Sequence, residues 1–127
     1  MPLTELNHVT VRTKEMERTR DFYVNVLGMN VGFRPNLGFP SYWLYVGKTP
    51  VVHLVPESAG IGAGPSDDTG NFDHVAFLAD DYDATCARLR ALGLEFRAND
   101  VPAARLRQLF LTDPNRIMIE LNFAAAP

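Results

Sequence analysis

Between Leu6 and Arg12 apolar and polar positions alternate, with Asn7, Val9 and Val11 on one side of the chain and Leu6, His8, Thr10 and Arg12 on the other. A two-residue period predicts a β-strand. The period then lengthens. Met16, Arg20, Tyr23 and Leu27 fall at helical spacing with Phe22 and Val26 beside them, Thr13 stands in a capping position, and Gly28 stands where a helix would end. One helix running to about residue 27 is expected. Three short strands should follow, at about 29–34, 42–46 and 51–55, separated by Pro35, Pro40, Gly47 and Pro50. Residues 56–71 are rich in Gly, Pro, Ser and Asp, show no period, and read as a connection.

The pattern then starts again. Phe72 to Leu78 alternates, with His74, Ala76 and Leu78 opposite Val75 and Phe77. Asp81 can cap a helix whose stripe is Tyr82, Cys86, Leu89 and Leu92, and Gly93 closes it as Gly28 closes the first. Strands are expected at about 94–98, 106–111 and 117–123, the last two joined by a turn over Asp113-Pro114-Asn115-Arg116. Each half is therefore β-α-β-β-β. The chain reads as one α+β domain over 1–127, with a first module at about 3–55, a linker at about 56–71 and a second module at about 72–124.

The repeat gives the histidines their meaning. The chain has three, His8, His53 and His74, and each lies in a predicted strand. The interval from His8 to His74 nearly equals that from His53 to Glu120, so the four occupy two equivalent positions in each half. Imidazole nitrogen with carboxylate oxygen suits divalent first-row ions, and strands hold such donors rigidly. Two histidines and one carboxylate would leave positions open for substrate and oxygen on Fe(II). A third histidine would fill one more and suit a Lewis-acid ion. The apolar faces of the same strands would pack beneath the helices. The opposite faces, carrying His8, Thr10, Arg12, His74, Glu120 and Asn122, would line a cleft.

Composition narrows the classes further. With 12 basic and 15 acidic residues mixed along the chain, the net charge is −3, and no basic patch offers itself to phosphates. The apolar runs are strand-sized and the first residues lack a signal-like core, which reads as a soluble cytoplasmic protein with neither nucleic-acid nor membrane partner. Cys86 is the single cysteine and reads as a small buried hydrophobe. Gly60, Gly62 and Gly64 alternate within the linker, with neither a strand before nor a helix after them, so they do not form a nucleotide-binding turn. Arg105 and Arg107 read as surface charge.

The runs Leu6-Asn7-His8-Val9-Thr10-Val11, Arg20-Asp21-Phe22-Tyr23 through Val26-Leu27-Gly28-Met29, Asp73-His74-Val75-Ala76-Phe77, and Asp113-Pro114-Asn115 with Ile119-Glu120-Leu121 resemble the vicinal oxygen chelate superfamily over nearly the whole chain. That superfamily includes glyoxalase I, extradiol dioxygenases, methylmalonyl-CoA epimerase, fosfomycin-resistance transferases and bleomycin-binding proteins. The resemblance implies two βαβββ modules forming a half-open β-barrel and one divalent metal held by His8, His74 and Glu120. His53 occupies the remaining symmetric position, either as a fourth ligand or as an acid–base group.

The reaction it implies first is extradiol-dioxygenase-like, on Fe or Mn, with His53 moving protons and Trp43, Tyr45 and Phe110 walling the site. The usual tyrosine ten residues before the carboxylate is here Phe110, and no further histidine remains for the outer-sphere position. The alternative is a glyoxalase I-like lyase or isomerase on Zn or Ni, with Glu120 shuttling a proton and Arg12 matching an arginine that binds the glutathione carboxylate. Glu57 stands where its partner asparagine belongs, and His53 where a glutamate does, which disfavours glutathione. The epimerase reading fits less well, because its usual glutamine is also replaced by His53. A metal-free sequestering protein, like the bleomycin binders, would not need the histidines. Arg116 replaces the family's usual glycine in the last turn, from which a different turn geometry is expected. Family members of this length commonly dimerise, so a homodimer acting on a small-molecule substrate is implied.

Overall fold

The computed structural model of the protein describes residues 4–59 and 72–125. The chain divides into two compact units, Met1–Ser66 and Asp67–Pro127. In the first, strand β1 (Val9–Thr13) is followed by helix α1 (Met16–Asp21), a π-helical turn (Phe22–Val26), and strands β2 (Asn30–Gly32), β3 (Tyr42–Val46) and β4 (Thr49–Pro56). In the second, strand β5 (His74–Leu78) is followed by helix α2 (Tyr82–Ala91), strand β6 (Arg97–Val101), a short 3₁₀ turn (Pro102–Ala104), and strands β7 (Leu106–Thr112) and β8 (Met118–Ala124). The sheet orders are β1-β4-β3-β2 and β5-β8-β7-β6. In each sheet the first strand pairs in parallel with the last, and the other pairs are antiparallel. This is the expected α+β pair of βαβββ units. Residues 60–71, which hold most of the predicted linker and its glycines, lie outside the described residues, and Pro56 belongs to β4.

Strand alternation sorts core from site. Along β8, Ile119, Leu121 and Phe123 are buried while Glu120 and Asn122 between them are half-buried. The apolar face lies against α2: the rings of Tyr82 and Phe123 meet edge to face at 5.4 Å. Burying side chains such as Ile119 and Leu121 contributes about 1.5–3 kcal/mol each, and that burial fixes which face Glu120 must take. Cys86 is free and buried on α2, as its apolar stripe implied. Among the described residues no helix is long and apolar enough to cross a membrane.

Several boundaries differ from the pattern. The first helix is interrupted: α1 stops at Asp21 and the chain widens into π geometry, with Leu27 N–H donating to the Phe22 carbonyl. The wider turn lets two consecutive aromatics, Phe22 and Tyr23, both enter the core, where their rings meet edge to face at 5.4 Å. Thr13 is not the cap. It ends β1, and its hydroxyl accepts the N–H of Glu15 and meets the Thr19 hydroxyl at 3.0 Å. Asp81 does cap α2, accepting the Ala84 N–H at 3.1 Å. Strand β6 starts later than the apolar pattern of Leu94, Phe96 and Ala98 suggested, at Arg97. It is an edge strand whose residues 97–100 are all exposed, so backbone pairing with β7 places it and no burial pattern marks it. Arg116 adopts φ +67°, the left-handed conformation that glycine favours, so the turn keeps a glycine-type backbone despite the substitution.

Candidate metal centre

In the second unit, β5 begins at His74 and runs parallel to β8, with Ala76 opposite Glu120. The His74 Nδ1–H donates to the Asp73 carboxylate at 2.7 Å, which fixes the ring proton on Nδ1 and leaves Nε2 as the coordinating atom of the neutral ring. That hydrogen bond is the main reason the His74 pKa is raised, opposed by partial burial and reinforced by the charges of Glu120 and Asp73. Glu120 is held from the other side, its Oε2 accepting the Asn122 Nδ2–H at 2.8 Å. The two remaining atoms, His74 Nε2 and Glu120 Oε1, face each other 3.4 Å apart. Donor atoms about 2.1 Å from one ion lie about 3.0 Å apart at octahedral angles and about 3.4 Å apart at tetrahedral ones, so this pair fits two adjacent positions on a divalent ion.

The first unit holds its pair differently. His8 lies immediately before β1, and its Nδ1–H donates to Asn7 Oδ1 at 2.7 Å, leaving Nε2 as its coordinating atom. His53, on β4, is sandwiched. Its ring stacks on Trp43 at 3.9 Å with 8° between planes, and on His8 at 3.8 Å with 11°. Its Nε2–H donates to the Pro50 carbonyl at 3.1 Å; a carbonyl can only accept, so Nε2 carries the proton. Burial lowers the His53 pKa, the nearby His8 lowers it further, and the Pro50 hydrogen bond opposes both. Lone pairs of two parallel rings lie in parallel planes, so in this stack His8 and His53 cannot both aim at one ion. Among the described residues no group of three or more His, Cys, Asp or Glu stands together as a metal-holding cluster; the four residues come as two pairs.

The remaining residues singled out from sequence divide by role. Arg12 is half-buried on β1 with Nη1 fully enclosed and, among the described residues, without a hydrogen-bond partner, a donor that an anionic group would satisfy. Trp43 walls one face of His53. Phe110 lies directly opposite Glu120 on β7, with the Arg97 guanidinium 4.7 Å over its ring. Tyr45 is committed elsewhere: its hydroxyl donates to the Phe33 carbonyl at 2.7 Å and its ring packs on Gly32. A register shift between Leu44 and Tyr45 takes it out of simple alternation with Trp43. Arg107, expected as surface charge, stacks 3.5 Å over Tyr82. Sequence reasoning missed Asn7 and Asp73 as supports of the two histidines. Their signal was available: each immediately precedes its histidine, at matching places in the two halves.

Three comparisons bear on this arrangement. The family model described as "Glyoxalase/Bleomycin resistance protein/Dioxygenase superfamily" matches residues 5–121. The chain is 30% identical over 128 residues to "Glyoxylase I 4" of Arabidopsis thaliana, covering 94% of this chain and 70% of that protein. It is 26% identical over 144 residues to "Lactoylglutathione lyase" of Schizosaccharomyces pombe, covering 95% of this chain and about half of that protein, 48%. Among solved structures, the antibiotic-binding protein TnmS3 from Streptomyces sp. CB03234 shares the fold with a TM-score of 0.73 at 24% identity, over 98% of this chain and 99% of that one.

Proposed function

The chain belongs to the Glyoxalase/Bleomycin resistance protein/Dioxygenase superfamily, and on that basis we propose that it is a divalent-metal enzyme acting on a small molecule that chelates through adjacent oxygens, with glyoxalase-type proton transfer as its chemistry. The observation that carries the reading is the His74–Glu120 pair, whose inner atoms stand 3.4 Å apart while their outer atoms are held by Asp73 and Asn122. Supports of this kind orient ligands and fix tautomers, and a protein that merely stacks a flat ligand has no use for them. The proposed metal ligands are His74 and Glu120, to which the sequence resemblance adds His8. When bound, the ion supplies a Lewis acid that polarises the chelating oxygens.

The protein's own groups do the rest. Glu120, which the chelating substrate would displace from the ion, accepts a proton at Oε1 from the carbon beside the chelating oxygens and returns it to the neighbouring carbon. Asn122 keeps Oε2 out of that exchange. Arg12 Nη1 receives an anionic arm of the substrate. His53 and Trp43 present a flat, stacked ring surface in the first unit. The names of the two curated relatives favour this chemistry over the dioxygenase reading that the resemblance put first. Glu57 and His53 still stand against glutathione itself, so the substrate is another small α-oxygenated compound. The enzyme is a homodimer in the cytoplasm under this reading, checked by light scattering and fractionation.

A second reading keeps extradiol-type dioxygenation. It is favoured by the stacking of His53 between Trp43 and His8, which suits His53 to an acid–base role and leaves two histidines and one carboxylate, the donor set of non-haem Fe(II) oxygenases. One experiment separates them. Metal-free protein is reconstituted with Zn, Ni, Mn or Fe(II), then assayed with hemithioacetals of several thiols and with catechols under oxygen. Turnover of a hemithioacetal by the Zn or Ni form, lost in Glu120→Gln, supports the proposal. Ring cleavage by the Fe or Mn form alone replaces it with the second reading, and Glu120→Gln retaining metal and turnover would overturn both.

A further inference from the structure

Glu120 is the end of a longer chain of side chains. On the same face of the second sheet, one row along from it, Asn122 on β8 stands directly opposite Gln108 on β7, and Gln108 directly opposite Asn99 on β6. All three amides are joined. Asn99 Nδ2–H donates to Gln108 Oε1 at 2.9 Å, Gln108 Nε2–H donates to Asn122 Oδ1 at 3.1 Å, and Asn122 Nδ2–H donates to Glu120 Oε2 at 2.8 Å. The direction of this ladder is dictated from its end. An ionised carboxylate can only accept, so Asn122 must turn its amide nitrogen to Glu120 and present its oxygen to Gln108. Gln108 must then donate, and presents its own oxygen to Asn99.

The geometry points to Asn122, Gln108 and Asn99 as a positioning relay for Glu120, which holds Oε2 and leaves Oε1 as the only carboxylate oxygen available to the metal. This rests on the metal reading of Glu120 proposed above. Three amide dipoles aligned head to tail polarise one another and strengthen the terminal bond to the carboxylate. The relay thus keeps Glu120 monodentate and stops it from rotating to chelate with both oxygens. Asn99 is exposed and Gln108 half-buried, so the relay carries the carboxylate's orientation out to the sheet's edge strand.

The test uses metal-free full-length protein and Co(II) alone, reading the dissociation constant by competition with a chromophoric chelator and the visible Co(II) spectrum. Thermal unfolding is followed in parallel. Supports of metal ligands typically cost roughly 10–100-fold in affinity when removed. Asn122→Leu should weaken Co(II) binding by an amount in that range, and Gln108→Met by a smaller factor, each with a changed spectrum and an almost unchanged melting temperature. Gln108→Glu is the sharper variant. The new carboxylate competes with Glu120 for the single amide nitrogen of Asn122, so affinity should fall below that of Gln108→Met. Simple attraction of a cation by an added negative charge would raise it. Tighter binding by Gln108→Glu, or wild-type affinity and spectrum in all three variants, overturns the relay. If Glu120→Gln abolishes Co(II) binding in that case, only the relay has failed; if Glu120→Gln binds Co(II) like the wild type, the metal reading falls and the relay with it.

Discussion

Asp113 is buried in the turn between β7 and β8, and one of its carboxylate oxygens, Oδ1, accepts the N–H of Asn115 at 2.7 Å and that of Ile117 at 2.9 Å. Its own N–H donates to the Ile117 carbonyl at 2.9 Å, and its carbonyl accepts from Arg116 at 3.2 Å, so one residue organises the entire reversal. Replacing it with Ala removes an ionised acceptor from two backbone donors. Hydrogen bonds to a charged group contribute about 1.5–3 kcal/mol each, which sets an upper bound near 6 kcal/mol. Both donors are only part-buried and water can reach them in the variant, so roughly half of that, about 2–3 kcal/mol, is expected to be lost. For a chain of this size this corresponds to a fall in melting temperature of about 6–15 °C. Asp113→Asn keeps the acceptor oxygen and loses the charge, so it should fall about midway. Urea unfolding followed by circular dichroism measures both. If Asp113→Ala unfolds within about 0.5 kcal/mol of the wild type, the turn is not held in this way.

Three other outcomes follow from the same structure. Ile119→Ala, which empties a fully buried site beneath Glu120, should cost about 2–5 kcal/mol in the same unfolding experiment, and a smaller cost would mean that the face collapses to fill the void. In metal-free protein, NMR titration should place His74 above the ordinary histidine value of 6.5 and His53 below it, and Asp73→Asn should bring His74 down. The signs for stability are opposite: the His74 contribution is present below 6.5 and is lost as pH rises through its folded pKa, whereas the His53 contribution is present above 6.5 and is lost as pH falls through its folded pKa; the reverse order of titration would contradict the Asp73 and Trp43 contacts. Arg116→Gly relieves a left-handed backbone that costs an L-residue about 1–2 kcal/mol, against about 0.5–1 kcal/mol of added chain entropy, so it should stabilise by up to about 1.5 kcal/mol, and any destabilisation refutes the strain argument.

Much of this was legible in the order of residues, and what was not has a physical reason in each case. The alternation around His74 and Glu120 revealed their face, because burial of Ile119 and Leu121 on the other side enforces it. The π turn was invisible, since the i, i+3, i+4 pattern of Met16 to Leu27 is satisfied by an α-helix, and only the demand to bury both Phe22 and Tyr23 unwinds it. Strand β6 was misplaced because an exposed edge strand carries no hydrophobic signature. Trp43, Tyr45 and Phe110 were indistinguishable as aromatics on strands. Trp43 and Tyr45 part, into a ring stack and a support for Gly32, at a register shift that no period encodes, and Phe110 becomes a neighbour of Glu120 through cross-strand pairing that a single strand does not show.

The two halves show why equivalent positions came to hold different chemistry. His53 is paired with Thr10 on one side and Trp43 on the other; Glu120 is paired with Ala76 and Phe110, and those partners themselves stand at equivalent places in the repeat. The backbone therefore offers the same place twice, and the neighbours decide what can occupy it. At the places equivalent to Gln108 and Asn122 the first half has Ser41 and Val55. Ser41 spends its hydroxyl on the Leu54 carbonyl at 2.7 Å, and Val55 has no donor to offer. A carboxylate at position 53 would find no amide relay to orient it and would be costly to bury. An imidazole there meets two flat ring faces and a backbone carbonyl, which together satisfy a neutral ring. The division into a charged half and an aromatic half thus follows from the residues that flank each site.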